Sequence, residues 1–579
     1  MASRFRPTLN AFRIQAYHST LAQHLPTHHF RRTNPTESVL IQIVTVLVIL
    51  SVPCPSANAQ EHDHSGQSDS IPLEILERPL PLRTGIGTSH EPVNTTSSEA
   101  QKYFDQGLSY LHSYVWIEAA RSFNQALRSD PNLAMAQLGL SYAYSGLGAG
   151  AAAKSIMEKA RARLPQLSGL EQQWISIRSA QLDAIAAPAD PSLRAKYTAA
   201  IDKALSLFPR DVEFWLLKGN AEEPSPAGWG QRGKESSLKY YEKALAVSPD
   251  NFAAHHYIAH SLENLGRIQE ALPHSDSYAR LAPAVAHAHH MCGHDLRRVG
   301  RMPEAIGQFE QAYRIETAYL KSENIPAEYD WHHQHNLDLL SGAYQYVGKM
   351  KAAEQMLKES FELPSLQENL ALDKRGWPYF LLSRGRAQDA LNASAALIGA
   401  RWPAVRAIGH ITASHALMAM DRMPEASTEA KAALAETQND PAASPYLIPY
   451  LALLQGEFYF RTGQQDKGRA ALEAVEAKFR SENNPEGWSQ DLFMIEMIAK
   501  LSIQLGDWEL AEFTARQMNE YDSNYAGTHF AKALVAEHKS NSADALKEFK
   551  LARQAWRDAD SDFPEMAEVR TKISALGGP

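Results

Sequence analysis

From about residue 98 onward, apolar side chains recur at three- and four-residue spacings, and small residues return in the same phase about every 34 positions. The pattern opens with Gly107, Tyr110, Ala119, Phe123, Ala126 and Pro131. Moving the last five by one period gives Tyr144, Ala153, Met157, Ala160 and Pro165. This register predicts two amphipathic helices per unit, A and B. Small residues are needed where helices cross at backbone range, and proline closes helix B because it cannot continue it. Between A and B the turn recurs as Gly-x-x-x-x-Ala, at Gly266/Ala271, Gly300/Ala305, Gly348/Ala353, Gly385/Ala390 and Gly506/Ala511. Gly463/Gly468 and Met420-Asp421/Ala426 are variants of it. Glycine ends the first helix and alanine packs the second. Weaker units fit around Tyr197 and Pro209, around Trp215, Gly219 and Pro249, and at Ala545, Phe549 and Ala552. The fold class expected is therefore all-α, a superhelical solenoid of about twelve helix pairs over residues 98–557. Residues 558–579 are left as a C-terminal tail, and Pro224–Glu235 and Thr317–Tyr329 are expected to project as loops.

These positions resemble the tetratricopeptide repeat (TPR) superfamily, and the resemblance covers nearly all of the chain beyond residue 98. It implies a concave groove lined by the A helices that holds a peptide or helix of a protein partner. Fold alone assigns no function.

The first 59 residues are different in kind. Arg4, Arg6, Arg13, Arg31 and Arg32 stand against one acid, Glu37. The apolar run Ser38–Val52 follows, and then the small-residue sequence Ala57-Asn58-Ala59. That order reads as a secretory signal peptide over residues 1–59, cleaved after Ala59, with a polar linker over 60–97. The run is shorter than the ~20 residues of a permanent span, so no membrane anchor is expected after cleavage. Arg31-Arg32 as a twin-arginine signal is the minor reading. The expected location is exported, either periplasmic or secreted. Cleavage removes five of 57 basic and one of 66 acidic residues, which moves the net charge from −9 to −13. No basic surface for nucleic acid is expected in that balance. Cleavage also removes Cys54 and leaves Cys292 alone, which excludes an internal disulfide.

Candidate chemistry is concentrated at the centre, residues 252–342. Eleven of the 23 histidines lie between residues 255 and 335, where even spacing would put about three. On each helix A, one stripe is formed by residues three or four apart. In the first such unit the stripe reads Ala253, His256, His260 and Glu263. In the next it reads His287, His290, His294 and Arg297. A third supplies His335, Asp338 and Gly342. Residues one full repeat apart occupy equivalent stripes on adjacent helices, so His256, His260, His290 and His294 should converge. His287, His335, Asp338 and Glu263 would support them. Two imidazoles at i and i+4 can close on one ion, and a neighbouring helix ~8–10 Å away can complete its shell. Imidazole with carboxylate suits Zn, Cu, Fe or Ni. No organic cofactor is evident: Gly228-Trp229-Gly230-Gln231-Arg232-Gly233 spells a dinucleotide fingerprint, but no strand precedes it.

Other readings stand beside the metal one: a hydrogen-bonding lining for an acidic ligand, a pH-responsive cluster, or packing. His255 and His289 fall at a packing position, Cys292 reads as a buried thiol, and His274, His332 and His333 read as surface residues. A lone His415 in a later helix A reads as groove lining. Within the superfamily, HHYIAH (255–260), HHMCGH (289–294) and His335-Asn336-Leu337-Asp338 resemble motifs of exported bacterial TPR proteins. Those carry HxxxH in two successive helices and His-Asn-x-His in a third. This chain departs from that pattern at Cys292-Gly293 and at Asp338. The function expected first is an exported scaffold that binds a protein segment or ligand in its groove and carries a His-rich metal site. The alternatives are a metal-dependent hydrolase or oxidoreductase using the same cluster, with Glu263 or Asp338 as base or ligand, and a metal-trafficking protein.

Overall fold

The computed structural model describes residues 71–481 and 487–577. The expected signal peptide lies outside them. Every regular element among the described residues is helical. Twelve A/B helix pairs follow one another, from Ser98–His112 with Trp116–Ser129 to Ala526–His538 with Ser542–Ala555. The solenoid of about twelve pairs is thus observed.

The local reasons are those of the repeat. A helices are capped by short polar side chains: Ser97 accepts from the backbone N–H of Ala100, Asp211 from Phe214 and Asn251 from Ala254. They end in a left-handed residue, as at Gly266 (φ 72°), Gly300 (φ 80°) and Gly506 (φ 74°). Asp421 (φ 59°) fills this place in the variant turn. The crossing alanines Ala119, Ala153, Ala271, Ala305, Ala353 and Ala390 have no exposed surface. Phe123 is seated between two A helices at Gly107 and Gly139, where a β-carbon would stand 2.6 and 2.4 Å from its ring.

The superhelix closes on itself twice. At the first closure, His112 of the first pair bonds Tyr257 Oη and Glu213 Oε2, both at 2.9 Å. The segment before Ser98 reinforces this contact. Leu80 and Ile86 are buried, the Gly85 carbonyl accepts from Ala284 N at 2.7 Å, and Gly87 presses on the Phe252 ring. The described part of the expected polar linker is therefore a packed strap. At the second closure, Tyr346 Oη donates to Asp522 Oδ2 at 2.7 Å and Asp560 N to the Gly348 carbonyl at 3.1 Å.

Three expectations are corrected. The tail contains a helix, Pro564–Ala575, whose Met566, Val569 and Ile573 are buried in a cluster with Phe530 and Phe549. Thr317–Glu323 continues helix Met302–Glu323 instead of looping out. The 224–235 insertion turns inward: the Trp229 ring lies 4.6 Å from that of Trp116, and Gly230 backs onto Tyr257.

Candidate metal centre

Three A helices build the centre: Phe252–Asn264, Ala286–Arg298 and Trp331–Tyr346. They deliver two histidine triads, His256/His260/His287 and His290/His294/His335. In each triad one ring nitrogen from every member lies within 4.8 Å of the others. All six side chains are buried. In the first triad, His256 Nε2 is 3.0 Å from His287 Nε2 and 3.1 Å from His260 Nε2. In the second, His290 Nε2 and His294 Nε2 are 3.0 Å apart.

Surrounding groups fix the tautomers. His256 Nδ1–H donates to the His112 carbonyl at 2.7 Å, which leaves the lone pair on Nε2, the atom that meets its neighbours. His290 Nδ1–H donates to Asn336 Oδ1 at 3.0 Å, and Asn336 Nδ2 donates to the Phe309 carbonyl at 3.2 Å. A neutral Nε2 has one in-plane lone pair, yet His256 Nε2 faces two other nitrogens. A single cation satisfies all three at once. Burial, together with the neighbouring imidazoles, holds His256 and His287 well below the usual imidazole range, so both rings are neutral at pH 7.

Glu263 does not point at the converging nitrogens. Its carboxylate sits behind the rings, Oε1 3.4 Å from His294 Nδ1 and Oε2 3.9 Å from His260 Nδ1. It flanks one histidine of each triad, outside the set of converging nitrogens. Behind Glu263 lies Asp295, which accepts from Ser275 Oγ at 2.6 Å. Burial, and then the charge of Glu263, raise its carboxyl far above the usual range. Asp338 lies outside both triads: Gln490 Nε2 donates to it, and burial with the charge of Asp373 pushes it up to about 7. The stripe carries Asp338 one turn past His335, toward a different cavity.

His332, read from the sequence as a surface residue, is buried between the triads. Its ring centroid is 4.8 Å from that of His287 and 4.6 Å from that of His290. Its Nδ1 bonds Glu316, while its Nε2 has no hydrogen-bond partner. The signal was present in the sequence: the helix starts at Trp331, one turn before the repeat's first stripe position, and His332 is three residues from His335. His333 is also buried and faces Glu316 at 3.4 Å, not solvent. Burial opposes the charges at Glu316, but His332 and His333 hold that carboxyl down at about 2. His274 is half-buried and bonds His255 Nδ1 at 2.9 Å. Cys292 is a buried thiol, pushed up to about 12 by burial.

The expected open groove is replaced here by protein. Tyr114, at φ 59°, covers the first triad from the first helix pair, with ring centroids 4.6 Å from His256 and 5.2 Å from His287. Tyr278 stacks on His256 at 4.5 Å.

No family model matches the chain, and no curated protein matches it. Solved structures similar to it include YrrB, described as a TPR protein with an unusual peptide-binding site. It is 18% identical, covers 36% of this chain and 98% of its own, and has a TM-score of 0.27. A human IFIT1 dimer with PPP-AAAA is 13% identical over 79% of this chain and 95% of its own, with a TM-score of 0.35. A monomeric IFIT1 mutant with Gppp-AAAA is 13% identical over 80% and 91%, with a TM-score of 0.30. At these scores the likeness says nothing of a ligand.

Proposed function

We propose that the protein is an exported helical-repeat scaffold that holds two transition-metal ions side by side in adjacent three-histidine sites. The observation that carries the reading is the approach of buried Nε2 atoms to 3.0–3.1 Å within each triad. Nitrogens 3.0 Å apart and each ~2.1 Å from one ion subtend roughly 90° at it, closer to octahedral or tetragonal geometry than to tetrahedral. That favours iron, nickel or copper over a structural zinc. Full burial supports a retained ion over a rapidly exchanged cargo, which places metal trafficking behind the scaffold reading. A metal-dependent enzyme is the second reading, favoured by His332, whose unbonded Nε2 lies between the triads. A protein segment or small ligand on the remaining concave surface completes the scaffold reading, and export follows from the order of segments in residues 1–59.

The test is elemental analysis of protein purified from its native compartment. Two ions per chain are expected, and none in the double variant His260→Ala/His294→Ala, with helix content preserved in both. Wild-type protein without stoichiometric metal at neutral pH would leave a buried polar cluster and no metal function. An intact mass beginning at Gln60 is the matching test of export.

A further inference from the structure

The second half of the solenoid contains a cavity of about 200 Å³, smaller than a drug-sized pocket. Phe380, Met497, Leu501 and Phe563 give it an apolar wall. Its polar lining includes Asp338, Arg375, Tyr379, His415, Glu457 and Gln490. Three buried atoms of this polar wall have no hydrogen-bond partner: Tyr379 Oη, His415 Nε2 and Gln490 Oε1. Tyr379 and His415 are 6% and 3% exposed. Buried polar atoms are as a rule paired, so three of them around one cavity require an explanation.

Each is held in place through its other end. His415 Nδ1–H donates to Glu457 Oε2 at 2.6 Å, and Glu457 also accepts from Arg461 Nε at 2.7 Å. Gln490 presents its Oε1 because its Nε2 is engaged with Asp338. Arg375 gives Nε to Tyr450 Oη at 3.0 Å and Nη1 to the Leu372 carbonyl and to Asp373, at 3.0 and 2.8 Å. Its Nη2 has no acceptor among the described residues. The wall thus offers donors from Tyr379 and Arg375, and acceptors from His415 Nε2, Gln490 and Asp338. This mixture of signs suits a zwitterion better than a simple anion or cation.

We propose that this cavity binds a free apolar α-amino acid: its carboxylate meets Tyr379 and Arg375, its ammonium meets His415 Nε2, Gln490 and Asp338, and its side chain lies against Phe380, Met497 and Leu501. The site is independent of the metal reading.

Titration calorimetry of the mature chain with L-leucine, 4-methylpentanoate and leucinamide tests it. L-leucine should bind at least tenfold more tightly than either analogue, because each analogue lacks one of the two charged groups. Tyr379→Phe removes a hydroxyl that bonds nothing in the protein. It should weaken leucine about tenfold while leaving the thermal midpoint unchanged. Gln490→Ala should weaken leucine and leave 4-methylpentanoate unaffected. Binding should persist in His260→Ala/His294→Ala, which separates this site from the metal centre. Leucine binding no better than its analogues, wild-type affinity in both Tyr379→Phe and Gln490→Ala, or tighter binding of an N-acetylated leucine peptide would overturn the proposal.

Discussion

The Tyr114 ring lies 4.6 Å from that of His256, although the two residues belong to the first and fifth helix pairs. Tyr114 holds φ 59°, in the position after helix A where other units place glycine. The backbone cost of a non-glycine residue there, ~1–3 kcal/mol, is offset by the ring's burial over His256, His260 and His287 and by its hydroxyl, which donates to the Trp229 carbonyl at 2.7 Å. Tyr114→Gly relieves the strain but leaves a void where large-to-small aromatic changes cost ~3–5 kcal/mol. A net loss of about 2 kcal/mol is expected in urea denaturation, with faster removal of metal by a chelator. Tyr114→Phe should keep most of the stability.

Glu263 faces the Nδ1 atoms of His260 and His294. Glu263→Gln keeps its shape and replaces the carboxylate that faces both rings. Metal affinity should fall ~10–100-fold in a competition titration while helix content stays constant. Affinity equal to wild type would mean that Glu263 does not support the triads.

Arg121 is buried, pairs with Glu118 at 2.6 Å and Glu323 at 2.8 Å, and donates to the Arg78 and Pro79 carbonyls of the strap. Arg121→Ala leaves Glu118 with Tyr319 Oη but no cation, leaves Glu323 paired with Arg83 alone, and takes the donor from two carbonyls. A loss of ~3–5 kcal/mol is expected, with earlier proteolysis in residues 71–97 than in the array. Limited proteolysis followed by mass spectrometry would show it.

Glu476 gives a pH-dependent expectation remote from the histidines. Burial pushes its carboxyl from the usual 4.5 up to about 8, against a hydrogen bond from Thr514. The folded chain then holds this proton more tightly than the unfolded chain. Its contribution to stability is complete below about pH 4.5 and is lost as pH rises toward about 8. Glu476→Gln should therefore raise the unfolding free energy at pH 8, by on the order of 2–4 kcal/mol at ~1.4 kcal/mol per unit, and change little at pH 4.5. Equal stabilisation at both values would point to packing instead of charge.

The repeat register was legible because each unit obeys the same local rule: Ala271, Ala305 and Ala353 sit at helix crossings, and Gly266, Gly300 and Gly348 adopt positive φ. Six of the eight expected site residues lie in the two triads, but the four expected to converge do not form one set: His256 and His290, and His260 and His294, fall in different triads, which His287 and His335 complete. Glu263 and Asp338 fall outside the triads because a stripe gives the face and not the depth: one carboxylate lies behind the rings and the other one turn beyond them. Tyr114 and the inward course of Trp229 were not legible. They depend on superhelical closure, which is set by small rotations summed over several pairs and leaves no periodic trace. His332 was missed for a simpler reason, since its helix begins a turn before the repeat's first position.

Closure also removes the freedom that repeat arrays ordinarily have to gain or lose units. The first triad is covered by a residue of the first pair, and the strap from residues 71–97 meets Phe252 and Ala284 at one fixed angular offset. Inserting or excising a single unit between pairs one and five would bring the wrong face to His256. The number of repeats ahead of the histidines is therefore a counted quantity in this protein. A 34-residue duplication there should be far more damaging than one placed after the second closure.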